Sequence, residues 1–382
     1  MQLGRAVRSL WGLDPDFLTV NHGSFGATPL SVLAAQSAWR RKLEAQPTRF
    51  MAKVLPEALS TATACLAAEL GATPNDLVFI ENTTSGCNAV LASLDLKQGD
   101  QILMLSHAYG AIQKAVEHTA HRAGAGLVRV PVPFPDYDDA ALLEGIVTRL
   151  GLRTRLAIID QVTSASALVL PIDHIIACCH DAGVPVLIDG AHAPGMVEIN
   201  LDQLNADWYV GSCHKWLMAP KGSAFLWARA DRQDRLHPTV ISHGYGNGLH
   251  AEFDWVGTRD PSPMLAVTEA LAFYHALGGY RLQRRNALLA QQAASLIADR
   301  LGTRRFGPAT SIGAMAVAAL PIGGEITPSR TNVVQQRLLA AGTDAPVVAL
   351  AGAAWIRISA QAYNEMHDYV RLSGILASAL SG

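Results

Sequence analysis

Val186-Leu187-Ile188-Asp189-Gly190-Ala191-His192 is an apolar run that stops on an acid, and Trp208-Tyr209-Val210-Gly211-Ser212-Cys213-His214-Lys215 is a second that stops on a lysine. Apolar runs without alternation indicate strands covered on both faces. Outward from these two, LVFI from Leu77, QILMLS from Gln101, LVRVPV from Leu127, LAIIDQV from Leu156 and AFLWA from Ala224 read as further strands, and VPVLID from Val184 frames the first. Helical patterns fill residues 85–94, 110–123, 138–150 and 173–182 between them. The alternation predicts an α/β fold, with a mostly parallel sheet sandwiched by helices.

The texture changes after Trp255-Val256-Gly257-Thr258-Arg259-Asp260-Pro261. A long helical pattern over 264–300 is broken at Gly278-Gly279, and strands at 314–320 and 355–359 alternate with helices at 332–341 and 364–380. This predicts a smaller α+β C-terminal domain over 261–382 and a large domain over 51–260. Residues 1–50 are expected to pack with the small domain and to form the mouth of a pocket.

Half of the 382 residues are hydrophobic and 16% are charged, and thirty basic against thirty-two acidic side chains leave a net charge of −2. That balance leaves no basic footprint for nucleic acid. The N-terminal residues have no secretory pattern, and the apolar run 345–356, which contains Pro346 and Gly352, is too short to span a bilayer. A cytoplasmic protein without nucleic-acid or membrane partners is expected. The five cysteines, Cys65, Cys87, Cys178, Cys179 and Cys213, form no disulfide framework and read as free thiols. Asp173-His174 to Cys178-Cys179-His180 offers metal-ligand types, but Ile175 and Ile176 make it one face of a buried helix, so no metal is expected.

Strand-terminal Asp189 alone is an ordinary turn residue, and Lys215 alone a surface lysine. Together, at the carboxyl ends of successive strands where open α/β sheets bind ligands, they match the needs of pyridoxal phosphate: an amine for its aldehyde and a carboxylate for its ring nitrogen. The company of Trp216, Leu217 and Met218 would strip solvent from the Lys215 amine and lower its pKa. Asn82-Thr83-Thr84-Ser85-Gly86, between the strand LVFI and a helix, offers N–H groups and hydroxyls for a phosphate. An ordinary N-cap has the same composition. The glycine-rich loop His243-Gly244-Tyr245-Gly246-Asn247-Gly248 lacks the strand and helix of a dinucleotide cradle and reads as a loop near the site.

NHGSFGATP from Asn21, PTRF from Pro47, ENTTSGCNAV from Glu81, SHAYGA from Ser106, DQVTSASALVLPI from Asp160, DGAHAPG from Asp189, SCHKW from Ser212, GTRDPS from Gly257 and WIRISAQAYN from Trp355, in that order over nearly the whole chain, resemble the isopenicillin N epimerase-like branch of the class V aminotransferase family. The resemblance implies the fold type I pyridoxal phosphate architecture, with a seven-stranded cofactor domain, a smaller domain, and a homodimer whose active sites are shared. It makes Lys215 the lysine that holds the cofactor and Asp189 the partner of the ring nitrogen. His192 would approach the phenolic oxygen, with Thr163 or Ser164. Thr83, Thr84, Ser212 and His214 would hold the phosphate, joined by Thr258 across the dimer, and Tyr109 would stack on the ring. Arg357 would grip the substrate α-carboxylate, with Asn21, His22 and Arg49 at the pocket mouth.

Loss of the α-proton leads to epimerisation, transamination or expulsion of a β-substituent, and all three share these residues. The resemblance favours epimerisation of an amino acid or its derivative, with Lys215 and Tyr109 as proton carriers on the two faces. A C–S lyase is the alternative. Related cysteine desulfurases use a cysteine on a C-terminal loop, and no cysteine follows Cys213, so persulfide chemistry of that kind is not expected. A non-catalytic sensor that keeps the cofactor would have no need of Arg357.

Overall fold

The structure is a computed structural model and describes residues 3–381. Its centre is a seven-stranded sheet made of β2 (Leu77–Ile80), β3 (Gln101–Leu105), β4 (Gly126–Val130), β5 (Thr154–Asp160), β6 (Val186–Gly190), β7 (Trp208–Ser212) and β8 (Ala224–Ala228), in the order β2-β8-β7-β6-β5-β3-β4. Only β8 runs antiparallel to its neighbours. Alternate residues of each strand enter different cores, which is why the strands read as continuous apolar runs. Leu103, Leu105, Ala157, Ile159 and Ile188 pack beneath the helices Leu55–Leu70 and Ile172–Asp181. Ile102, Met104, Leu156, Ile158 and Leu187 pack beneath Thr83–Ala92 and Gly110–Ala123.

A three-stranded antiparallel sheet, order β11-β12-β9, joins β9 (Met315–Ala319), β11 (Val347–Leu350) and β12 (Ala353–Ser359). One face of β12, with Ala354, Ile356 and Ile358, packs on the helices Tyr280–Leu301, Pro328–Ala340 and Met366–Ser381. Trp355 and Arg357, one residue out of phase, therefore face the large sheet's side of the molecule, where Trp355 joins the main core. The chain's beginning is tied to this part: β1 (Leu18–Thr19) pairs in parallel with β10 (Thr343–Asp344), and the Gly4 N–H donates to the Ala362 carbonyl at 2.7 Å.

Every strand expected in the large sheet is present, and WYVGS and AFLWA have the expected ends. The short strands β1, β10 and β11 were not expected. The apolar run 345–356 is a hairpin, β11 turning into β12 through Ala351 (φ 47°) and Gly352 (φ 73°). Two consecutive positive φ values give the turn whose twist suits adjoining strands. Among the described residues no helix is long and apolar enough to cross a membrane.

Candidate active site

The lysine loop after β7 is held from two sides. Cys213, Trp216, Leu217, Met218 and Ala219 are buried beneath it. Gly195 (φ +80°) lies so close that a Cβ there would stand 2.7 Å from the Trp216 carbonyl. On the other side Gly26 (φ +71°) presses on the His214 carbonyl, where a Cβ would stand only 2.0 Å away. No other residue combines that backbone with so little bulk. The segment around Gly26 is strapped to the loop: a His22 ring nitrogen meets the Lys215 carbonyl at 2.9 Å, the Thr28 hydroxyl donates to the Ala219 carbonyl at 3.2 Å, and the Lys221 ammonium donates to the Gly26 carbonyl at 2.9 Å.

Lys215 thus points into a cavity of about 120 Å³ at the carboxyl ends of β5, β6 and β7. Its Nζ lies 3.1 Å from His192 Nε2. Burial lowers the amine's pKa to about 8, against an opposing pull from Asp189. Burial also drives His192 well below the usual imidazole range, aided by the charges of Lys215 and Arg357, so the ring is neutral at pH 7. His192 Nδ1 is buried without a partner among the described residues. Asp189 accepts the Ala191 N–H at 3.0 Å, and burial pushes its carboxyl up while that bond and Lys215 hold it down.

Asp160, not singled out from the sequence, is the register partner of Asp189 on the adjacent strand, and both carboxyls line the cavity. Burial and the Asp189 charge raise Asp160 well above the carboxylate range. The two cannot both ionise cheaply, and of the pair Asp189 has the stabilising contacts, the Ala191 N–H and the Lys215 charge.

The N-terminus of the helix Thr83–Ala92 closes one end of the cavity with Thr83 and Thr84, and Ser212 and His214 face them. Asn82 caps this helix by accepting the Ser85 N–H at 2.9 Å, and the first-turn N–H groups are left for an anion. Tyr109, 48% exposed, lines the wall after β3, and Ser164 the wall after β5. Ser164 also ties in Arg357, which donates to its carbonyl at 2.5 Å and, from its other terminal nitrogen, to the Ser24 hydroxyl at 2.9 Å and Asn21 Oδ1 at 3.3 Å. Arg357 is buried, burial lowers its pKa to about 10, and its Nε has no partner among the described residues.

Six expected residues do not line this cavity: Arg357 and Asn21 stand behind its lining residues Ser164 and Ser24, and Thr163, His22, Arg49 and Thr258 lie elsewhere. Thr163 is fully buried behind the wall, its hydroxyl shared between Ser166 Oγ at 2.7 Å and the Leu168 N–H at 2.8 Å. His22 sits behind Lys215 rather than at the mouth, its second nitrogen 2.9 Å from the Tyr363 hydroxyl. Arg49 is exposed and donates to Gln46 at 3.0 Å, because buried Phe50 and Leu55 fix the next turn and direct it outward. Thr258 is exposed on a bend outside this cavity. Ser24 and Phe25 do line the cavity. Both lie inside the quoted NHGSFGATP run, whereas nothing in the sequence around Asp160 sets it apart from any strand-terminal acid.

The donor set fits pyridoxal phosphate. A desolvated amine, a buried carboxylate, an unpartnered imidazole nitrogen and a helix N-terminus converge on one cavity at the ends of parallel strands, and the chain falls in the class of fold type I pyridoxal phosphate enzymes. It belongs to the class V aminotransferase family, whose profile matches residues 26–371. The chain is 34% identical over 395 residues to a putative L-cysteine desulfhydrase 1 of Oryza sativa subsp. japonica, covering 92% of this chain and 81% of that one. It is 32% identical over 389 residues to the isopenicillin N epimerase of Streptomyces clavuligerus, covering 97% and 96%. Among solved structures, the complex of the cystine C–S lyase C-DES with its reaction product cysteine persulfide matches with a TM-score of 0.82 at 22% identity, covering 95% of this chain and 98% of that one. The apo cysteine desulfurase of Thermococcus onnurineus NA1 matches with a TM-score of 0.84 at 18% identity, covering 100% and 99%.

Proposed function

We propose that the enzyme holds pyridoxal phosphate on Lys215 and moves the α-proton of an amino acid, inverting its α-carbon as an epimerase. Bound there, the cofactor would supply an electron sink that acidifies the substrate's α-carbon. The observation that carries the reading is the order of the strands. Lys215 follows β7 and Tyr109 follows β3, while β6 and β5, ending in Asp189 and Asp160, lie between them. Two proton-bearing side chains thus enter one cavity from opposite sides of the row that would anchor the ring.

Each remaining residue has a task. Asp189 would keep the ring nitrogen protonated, His192 would meet the phenolic oxygen, with Ser164 near it, and Tyr109 would lie over the ring. Thr83, Thr84, Ser212 and His214 would hold the phosphate. Arg357 would hold the α-carboxylate with two parallel hydrogen bonds, and Asn21 would steady it. His22 acts from behind, through the Lys215 carbonyl. Lys215, neutral above about pH 8, would take the proton with the neutral His192 beside it, and the Tyr109 hydroxyl would return one from the other face.

The second reading is a C–S lyase acting on cysteine or a derivative. Identity to a plant L-cysteine desulfhydrase favours it, and so does chemistry, because a thiolate leaves without a second acid. We further place the enzyme as a cytoplasmic homodimer with shared sites, in which exposed Thr258 reaches the neighbouring subunit's phosphate. Its five free cysteines suit a reducing compartment.

Loaded enzyme incubated in D₂O with single enantiomers of amino acids should exchange the α-proton and interconvert D and L forms. Exchange without inversion sinks the epimerase reading. Pyruvate and sulfide released from L-cysteine would establish the lyase in its place. Arg357→Ala should raise KM roughly 30-fold or more, since losing one partner of a buried charged pair costs about 2–5 kcal/mol, and an unchanged KM would remove Arg357 from the site.

A further inference from the structure

We propose that Asp344 is a positioning residue for the substrate's α-carboxylate: it fixes the Asn21 amide, which in turn holds Arg357 oriented. The inference rests on the reading of Arg357 as the carboxylate grip.

The protein partners of the Arg357 guanidinium are the Ser164 carbonyl and hydroxyl, the Ser24 hydroxyl and Asn21 Oδ1, and none of them is a carboxylate. A buried guanidinium held only by neutral acceptors is costly unless an anion stands close by. Asp344 supplies that anion one side chain removed. Its Oδ2 accepts the Asn21 Nδ2–H at 2.7 Å, and Asn21 Oδ1 on the far side accepts both the Ser24 hydroxyl at 2.7 Å and Arg357 at 3.3 Å. An ionised carboxylate accepts and never donates. It therefore dictates which end of the amide faces it, and so turns the carbonyl end towards the guanidinium.

The two-residue ladder between β1 and β10 exists at the right place for this. Thr19 is the register partner of Asp344, and Asn21 follows two residues later. The Thr343 hydroxyl donates to the Leu18 carbonyl at 2.8 Å and Asn364 to the Thr19 carbonyl at 2.8 Å, so the pair is pinned from both sides. The charge of Asp344 also offsets part of the burial that lowers the Arg357 pKa. A carboxylate in direct contact with Arg357 would compete with the substrate for the same N–H groups. One amide away, it supports the cation without occupying the unpartnered Nε, and the terminal N–H groups stay on the neutral acceptors Ser164, Ser24 and Asn21, which an incoming carboxylate can displace more readily than a second carboxylate.

The test is titration of loaded wild-type, Asp344→Asn and Asp344→Ala enzyme with L-alanine and with L-alaninamide, which lacks the carboxylate, following the cofactor's visible band. Asp344→Ala should weaken L-alanine roughly tenfold and Asp344→Asn, which keeps an acceptor, roughly threefold, with L-alaninamide unmoved and the unliganded spectrum and melting temperature unchanged. Equal weakening of both amines, or no weakening of L-alanine, overturns the proposal. If Asp344→Ala fails to fold, the same comparison on Asp344→Asn decides. A wild-type enzyme that binds the amide as well as the acid, or responds to neither, instead sinks the reading of Arg357 on which this rests.

Discussion

At the scale of single residues, Lys215 is the side chain whose surroundings set the chemistry. A lysine amine titrating near 10.4 is only roughly 0.4% neutral at pH 8. One lowered to about 8 is half neutral there. Deprotonated amine is the nucleophile, so capture of pyridoxal phosphate by the apo-protein should quicken as pH rises and level off above about pH 8. A rate still climbing at pH 10 would mean that the amine is solvated. Lys215→Ala should lose the visible band and all borohydride-stable attachment yet keep its melting temperature within a few degrees. Lys215 and Asp189 were legible in the sequence as a pair, a lysine in apolar company following a strand-terminal acid at the ends of successive strands, where neither alone would have stood out. Asp160 and Asp344 were not, since each acquires meaning only from a neighbour that the chain supplies across a sheet: Asp189 for one, Asn21 for the other.

At the scale of elements, the sheet's two ends have different duties. The carboxyl ends of β5 to β7 carry the site, whereas at the opposite end the buried carboxylate of Asp207 accepts the Val186 N–H at 2.7 Å, His180 at 2.9 Å, Arg229 at 2.9 Å and Arg232 at 2.7 Å. This knot holds the start of β6 to the start of β7. Asp207→Ala leaves those donors without their acceptor and should cost about 3 kcal/mol of stability. The urea midpoint should fall while the loaded enzyme's spectrum stays as it was. A spectral change would mean that the knot reaches the site. The central strands were legible because burial on both faces leaves long apolar runs, and β1, β10 and β11 were not because two to four residues hold too little pattern. The 345–356 run, too short for a membrane span, serves two short strands, of which only the second was expected.

At the scale of the whole molecule, burial lowers His22, His107 and His214 each to about 4. Unfolded imidazoles titrate near 6.5, so between about pH 6.5 and 4 the unfolded chain binds more protons than the native one. The stability these three rings contribute is lost as pH falls across that window, in opposition to the raised carboxyls of Asp160 and Asp189. The three together should lower the urea midpoint clearly between pH 7 and pH 5, by of order 1 kcal/mol each. An unchanged midpoint would show that these rings take up protons without unfolding. Composition and strand order disclosed the architecture, and residues 1–50 were expected beside the small domain, but the individual contacts that join Ser24 and Asn21 to Arg357 were not legible, because no local pattern records which side chains of distant segments will meet.

That closure has a consequence for how the enzyme comes into being. Asn21 and Ser24 reach Arg357, and His22 reaches Tyr363, across more than 330 residues of chain. During synthesis on the ribosome the large sheet can assemble early, but the contacts of Arg357, the proposed carboxylate grip, wait until nearly the last codons have been read. On the roles proposed for Lys215 and Arg357, a nascent chain cut short before Arg357 would hold a lysine ready for its vitamin and nothing to present it with a substrate.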